Sequence, residues 1–389
     1  MLSRPQRESR VLIARSIAAR SCPDNRRRTA TSSSSRDGSV PPAVVVPMTS
    51  ARRWGALVRA VRARTGRRPG AAPNLVQRPR LDPQRPLVIV NPRSGGGLSE
   101  ARWARLVAGL TEGLGPFDSV FTTGPRDATE IARREAAAGR RLVVAFGGDG
   151  TISETADGIL AAGAGGTTEL GIIPRGTGGD FRRSLELPQD LAEAAHRARD
   201  GAARLIDAGR VHYVAHDGTA ATRHFVNVAS FGFSSAVASR ANASSKRLGG
   251  KMAFLGATVG ALLSYDNTDV WLSLDDGPRE RRRVLMAAVG NGRFFGGGMK
   301  ICPRAQLDDG TLDVVVVGDF SRMDVLTKVG RLYDGSHLDL EAVTAAPARK
   351  LVAAPVEADA LVPIELDGET PGRLPATFEI IPGALRVRV

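Results

Sequence analysis

The sequence predicts an N-terminal doubly wound α/β nucleotide-binding domain followed by an antiparallel β-sandwich domain. Three observations carry that prediction. Between residues 87 and 205, short apolar runs alternate with segments of helical period, as buried parallel strands and their crossover helices do. Glycine-rich polar loops follow three of those runs. From residue 206 to 389, strand-like runs dominate and only two helical segments interrupt them, the texture of packed antiparallel sheets.

The chain opens on a segment that cannot supply a core. Residues 1–86 carry 19 Arg, no Lys and four acids, a net of +15, whereas the remainder holds 35 basic and 36 acidic residues. The overall charge of +14 is therefore a property of the tail. A nearly neutral globular part argues against a nucleic-acid-binding face. Residues 1–50, rich in Arg and Ser with a Ser32–Ser35 run, are expected to be disordered. They read either as a transit-peptide-like leader or as an extension upstream of a start at Met48. Residues 51–64 place Trp54, Leu57, Val58 and Val61 on one helical face among arginines. That pattern suits an anionic membrane surface or, equally, a solvated linker. Five prolines within 65–86 mark a linker.

The first domain is read as follows. Leu87–Asn91 is a buried strand, and Trp103, Leu106, Val107 and Leu110 line the helix after it. Phe117–Thr123 is the next strand, and Asp127 with Glu130 opens a helix in capping-box fashion. Leu142–Phe146, a helix over Ile152–Leu160, and Leu170–Pro174 complete the alternation. In the second domain the expected strands include Phe225–Ala229, Leu285–Val289, Leu312–Val317, Ile364–Leu366, Phe378–Ile381 and Leu385–Val389, with helices near 245–265 and 321–333. The domains are predicted to meet at 205/206. No apolar run is long enough for a spanning helix. Cys22 and Cys302 form neither a disulfide framework nor a metal set, so a reduced, cytoplasmic setting is expected.

The chemistry is expected at the three loops: Asn91-Pro-Arg-Ser-Gly95, Gly147-Gly-Asp-Gly-Thr151 and Pro174-Arg-Gly-Thr-Gly-Gly-Asp180. Loops at the carboxyl ends of parallel strands line the ligand crevice. Their glycines let backbone N–H groups approach phosphate oxygens at helix N-termini. Ser94, Thr151 and Thr177 add hydroxyls, and Asp149 and Asp180 suit a Mg²⁺ ion between carboxylate and phosphate. No GxxxxGK[ST] occurs, and no GxGxxG opens the first strand–helix turn, so neither a P-loop enzyme nor a usual dehydrogenase is indicated.

These loops, with Glu154, Phe181, the later Pro303-x-Ala-x-x-Asp-Asp-Gly310 and Asp367-Gly-Glu369, resemble the diacylglycerol kinase catalytic-domain family across residues 87–389. That family includes bacterial lipid kinases, sphingosine kinases and ceramide kinases. The resemblance implies an ATP- and Mg²⁺-dependent kinase acting on a lipid hydroxyl, diacylglycerol being the model acceptor. It implies ATP contacts at Asn91, Pro92, Arg93, Ser94 and Gly95, at Thr122 or Thr123, at Gly148, Asp149, Gly150, Thr151, Ile152, Ser153 and Glu154, and at Thr177. Glu369 becomes the general base and Asp149 the organiser of the metal–phosphate geometry. Gln306, Asp309 and Thr311 become the site of a structural Mg²⁺, a hairpin turn being the alternative. The implied partner is a lipid in the membrane, with peripheral contact at the inner face through the basic N-terminus; a homodimer is compatible. One departure stands out: Gly179 occupies a position where the family usually has Asn. An NAD kinase-like enzyme and a non-catalytic nucleotide-binding regulator are the competing readings.

Overall fold

A computed structural model describes residues 44–46, 82–176, 178–243 and 265–389. The segment expected as a helix near 245–265, the helix at 51–64, most of the basic tail and Thr177 lie outside the described residues. Within the predicted tail, Val44–Val46 forms a short strand, β1, antiparallel to the edge of the first sheet.

The α/β part begins at Asp82, earlier than predicted. The Asp82 and Arg85 carbonyls accept hydrogen bonds from buried Arg140. Strand β2 (Leu87–Val90) leads to helix α1 (Glu100–Leu114), β3 (Asp118–Phe121), α2 (Asp127–Ala137), β4 (Leu142–Gly147), α3 (Asp149–Ala161), β5 (Glu169–Pro174), α4 (Asp180–Ser184) and α5 (Leu191–Asp200). The parallel order is β3-β2-β4-β5. All four residues of β2 are fully buried because successive side chains enter different layers. Leu87 and Ile89 pack with Ile131 and Ile152 of α2 and α3, while Val88 and Val90 pack with Trp103 and Leu110 of α1. Ser99 caps α1 by accepting from the Arg102 N–H. The chain leaves β2 toward β3 on one side and returns to β4 on the other. The reversal point therefore falls between the Asn91 loop and the Gly147–Asp149 loop, where a doubly wound sheet opens its crevice.

The remainder is β6 (Ala203–Ala215), β7 (Ala220–Phe225), β8 (Val228–Gly232), α6 (Phe233–Ala243), β9 (Thr268–Leu274), β10 (Glu280–Val284), β11 (Met286–Gly290), β12 (Leu312–Val317), α7 (Arg322–Lys328), β13 (Val343–Ala348), β14 (Lys350–Pro355), β15 (Pro363–Leu366) and β16 (Glu369–Arg388). One layer runs β15-β8-β11-β12-β13, and the other gathers β7, β6, β16, β14, β9 and β10. Phe231 of β8 stacks on Phe378 of β16 at 6.2 Å between ring centres, in the core between the layers.

Three expectations change. The predicted strands Phe378–Ile381 and Leu385–Val389 are parts of one strand, β16; Pro375 and Pro382–Ala384 fall at irregularities in its pairing with β6 rather than at breaks. Phe225–Ala229 divides between β7 and β8. The 205/206 boundary falls inside β6, and the end of β16 pairs in parallel with β5, so Leu385 and Val387 join the first domain's core. Sequence reading missed β6 because Gly209 interrupts its pattern. The glycine is there because a Cβ would collide with the Phe225 ring.

Candidate active site

The three loops converge, and side-chain hydrogen bonds hold them in register. Asn91 anchors the first. Its Oδ1 accepts from the Arg93 N–H, its carbonyl accepts from the Ser94 hydroxyl, and its Nδ2 donates to Thr151 Oγ1 at 3.0 Å. The Asn91 and Thr151 side chains thus tie the first loop to the opening turn of α3. Pro92 and Gly95 lie in the same loop, with Arg93 and Gly95 exposed. Arg175, to which the sequence reading gave no role, is a second tie. Its guanidinium donates to the carbonyls of Ser94 at 2.8 Å and Gly97 at 2.6 Å, and it lies over the Phe146 ring. Only its place inside the third loop could have flagged it.

Gly148 is the N-cap of α3 in extended conformation, and Asp149 is the helix's first residue. The Asp149 carboxylate reaches the third loop, where Oδ2 accepts from the Gly179 N–H at 2.8 Å and Oδ1 from the Phe181 N–H at 3.4 Å. Gly179 itself has φ +67° and ψ +35°, the left-handed region. Glycine and asparagine are the residues that enter that region most readily, so the substitution keeps the backbone and removes only an amide. Gly179→Asn is therefore expected to keep the melting temperature and nucleotide affinity near wild type. Gly179→Val should cost about 1–2 kcal/mol. Equal destabilisation of both variants in thermal melts would refute this account.

Asp180, at the start of α4, bridges the domains. Its Oδ1 pairs with Arg183 at 2.7 Å and its Oδ2 accepts from the Gly297 N–H at 2.8 Å, which pins the glycine-rich 296–298 bend. Burial pushes its carboxyl up, and neighbouring Asp149 adds to the rise.

Of the remaining predicted nucleotide residues, Thr123 uses both its N–H and hydroxyl on Asp127, whereas Thr122 donates its N–H to the Val90 carbonyl at 2.9 Å and its hydroxyl makes a 3.5 Å contact to the same oxygen. Thr122 is thus the freer member of the pair. Ile152 is buried in the core, and Gly150 has open space where a Cβ would stand. Ser153 lines the same cavity as Asp367 of the second domain, and its side chain works against the rise that burial gives the Asp367 carboxyl. Glu154 is engaged elsewhere: its two oxygens accept from the N–H groups of Arg126 and Ala128. It caps α2 from outside, and the capping box expected of Asp127 and Glu130 does not form; Arg126 is the N-cap and Glu130 pairs with Arg133.

The second domain contributes the turn Asp367–Glu369. Half-buried Asp367 accepts from the N–H groups of Val226, Asn227 and Val228, each at 3.0 Å. Burial raises its carboxyl in spite of these donors. Glu369 follows as the first residue of β16, close enough to Glu154 for its charge to help burial raise the Glu154 carboxyl. A cavity of about 140 Å³ lies between the domains, lined by Asp149, Ser153 and Asp180 on one side and Phe295, Glu365 and Asp367 on the other. A second cavity, of about 200 Å³, lies between the second and third loops beside Arg175, Arg182 and Arg183. Burial pushes the Glu365 carboxyl from 4.5 up to about 7. A folded pKa above the unfolded one means that the folded protein binds more protons between those values. Stability is then fully present below about pH 4.5 and declines as pH rises through about 7. Glu365→Gln should remove that decline, gaining at most about 3 kcal/mol over wild type at pH 8 and little at pH 4. Thermal melts at the two pH values check it.

The predicted structural-metal loop sits away from these cavities' acids. Asp309 Oδ1 accepts from the N–H and hydroxyl of Thr311, a turn-closing arrangement. Asp309 also retains its second carboxylate oxygen, and with the carbonyls of Gln306 and Thr311 this is the oxygen donor type Mg²⁺ takes. Among the described residues, no three His, Cys, Asp or Glu side chains converge on a common metal position. No described helix is long and apolar enough to cross a membrane.

The chain is similar to known proteins over both domains. Residues 85–211 match the diacylglycerol kinase catalytic domain, and residues 227–389 match the YegS C-terminal NAD kinase beta sandwich-like domain. A Mycobacterium tuberculosis protein named diacylglycerol kinase is 31% identical over 300 residues, covering 77% of this chain and 93% of that protein. A Pseudomonas aeruginosa protein named as a probable lipid kinase, YegS-like, is 32% identical over 309 residues, covering 79% and 95%. A solved diacylglycerol kinase structure from Bacillus anthracis shares the fold, with a TM-score of 0.57 at 23% identity over 78% of this chain and 96% of that one.

Proposed function

This chain belongs to the diacylglycerol kinase catalytic-domain family, and we propose that it transfers the γ-phosphate of ATP to the hydroxyl of a membrane lipid such as diacylglycerol. One observation carries the reading. Asp367, in the turn that carries Glu369, lines one cavity with Asp149 and Ser153 of the helix that opens at the glycine-rich loop of the first domain. A carboxylate from one domain is thereby set near the phosphate-facing loops of the other, the arrangement that phosphoryl transfer to an alcohol needs.

In this reading the backbone N–H groups of the Asn91–Gly95 and Gly148–Thr151 loops hold the phosphates, with Thr122 and Thr177 beside the nucleotide. Asp149 keeps the second and third loops at fixed spacing. Glu369 accepts the proton of the attacking hydroxyl. A bound Mg²⁺ ion would supply charge neutralisation to the nucleotide phosphates, and Gln306, Asp309 and Thr311 would hold a second, structural ion. The lipid approaches the cavity between the domains from the inner membrane face, where the arginines of residues 1–86 attract anionic headgroups.

Incubation of the purified chain with labelled ATP, Mg²⁺ and separate acceptors tests this. Label should enter diacylglycerol or another hydroxyl lipid and not NAD. Label in NAD alone would overturn it, and ATP binding without transfer to any acceptor would point to a regulatory protein.

A further inference from the structure

The cavity of about 200 Å³ between the second and third loops is lined by five glycines and three arginines, and the arginines are not equivalent. Arg183 is neutralised: its Nη1 donates to Asp180 Oδ1 at 2.7 Å and to the Gly178 carbonyl at 2.6 Å. Arg175 commits both terminal nitrogens to the Ser94 and Gly97 carbonyls. Half-buried Arg182 has no part in the scheme above. Its Nη1 donates to the Leu187 carbonyl at 2.7 Å, and the Leu187 N–H donates back to the Arg182 carbonyl at 3.1 Å. The side chain is thereby braced against its own loop. Among the described residues, Arg182 Nε and Nη2 donate to no protein group, and no carboxylate pairs with the guanidinium. That guanidinium lies over Gly179: a Cβ on Gly179 would stand 3.2 Å from Nε and 3.9 Å from Nη2. Glycine at 179 leaves the room that the cation occupies. A braced cation with two spare donors, beside glycine-rich loops, is matched by an anion.

We propose that Arg182 is a phosphate-binding residue, whose Nε and Nη2 hydrogen-bond the phosphate chain of the nucleotide. The inference rests on the three loops being the ATP site, and it adds a side-chain cation to the backbone N–H groups already placed there. Nε and Nη2 form one edge of the guanidinium fork, which suits two oxygens of one phosphate. Because Nη1 is held by Leu187, that edge is set before the nucleotide arrives, and little side-chain freedom is lost on binding. The competing role is a structural one, closure of the loop from 182 to 187. Glutamine at 182 keeps a donor for the Leu187 carbonyl and loses the charge; lysine keeps the charge and loses the fork.

The test is calorimetric titration of the full chain with ATP and Mg²⁺ at low and high salt, with thermal melts alongside. Arg182→Gln is expected to weaken ATP binding about 10–100-fold while the melting temperature stays near wild type. Arg182→Lys should fall between glutamine and wild type. Added salt should weaken ATP binding to wild type more than to Arg182→Gln, because the variant has lost a charge that salt screens. In assays with diacylglycerol in mixed micelles, KM for ATP should rise in Arg182→Gln and KM for the lipid should hold. The proposal is overturned by wild-type ATP affinity in Arg182→Gln, by a lysine variant no better than the glutamine one, or by an unchanged salt dependence. A melting temperature that falls in step with ATP affinity in both variants overturns it too, in favour of loop closure. A wild-type chain that binds no ATP overturns the nucleotide site itself, so that failure is told apart from one confined to Arg182.

Discussion

Glu369→Gln is expected to lower lipid phosphorylation by about 10²–10⁴-fold while ATP affinity stays at the wild-type value. The substitution is nearly isosteric and removes only the ability to take a proton. Glu369 opens β16 directly after the Asp367–Gly368 pair, and Asp367 is held by three backbone donors, so the turn retains its anchor in the variant. The charge beside Glu154 is also removed, which lowers the Glu154 carboxyl from its raised state and strengthens its hold on α2. Folding stability should therefore hold or rise slightly. Steady-state kinetics paired with calorimetric ATP titration separates the two effects. Transfer at the wild-type rate would remove Glu369 from the mechanism.

Asp149→Ala is expected to act differently, raising KM for ATP and lowering kcat, with kcat/KM down about 10²–10³-fold. Its carboxylate is the link between the second and third loops, through Gly179 and Phe181. Without it, two N–H groups near the helix start lose a charged acceptor, a loss of about 1.5–3 kcal/mol for each such bond where water cannot replace it. Because Asp180 next in the chain clamps Gly297, a shifted third loop would also loosen the contact between the domains. The variant should thus lose melting temperature as well as activity, unlike Glu369→Gln. A variant that loses kcat alone, with ATP affinity and melting temperature intact, would show that the loop spacing does not depend on Asp149.

Much of this was legible in the chain itself. The buried strands Leu87–Val90, Leu142–Gly147 and Leu312–Val317 stand where their apolar runs stand, because a strand covered on both faces admits little else. The loops after β2, β4 and β5 follow from glycine and polar residues at strand ends. Gly179 is instructive in the other direction: read from sequence it is a lost amide, and its positive φ shows why glycine serves there.

What the sequence determined alone is the alternation of strands and helices, the site loops and the separation of an Arg-rich tail from a neutral body. What only the tertiary structure decided is which residues these loops meet. Arg175 reaches Ser94 from 81 positions away, Asp180 reaches Gly297 from 117, and Asp367 reaches Asn227 from 140. Local periodicity reports how a segment faces its core and carries no record of distant hydrogen-bond partners. The same limit hid β16, whose prolines read as strand ends until its long pairing with β6 absorbed them. The burial that pushes Glu365 up to about 7 is likewise a sum over neighbours from both domains, and no window of sequence around residue 365 contains them.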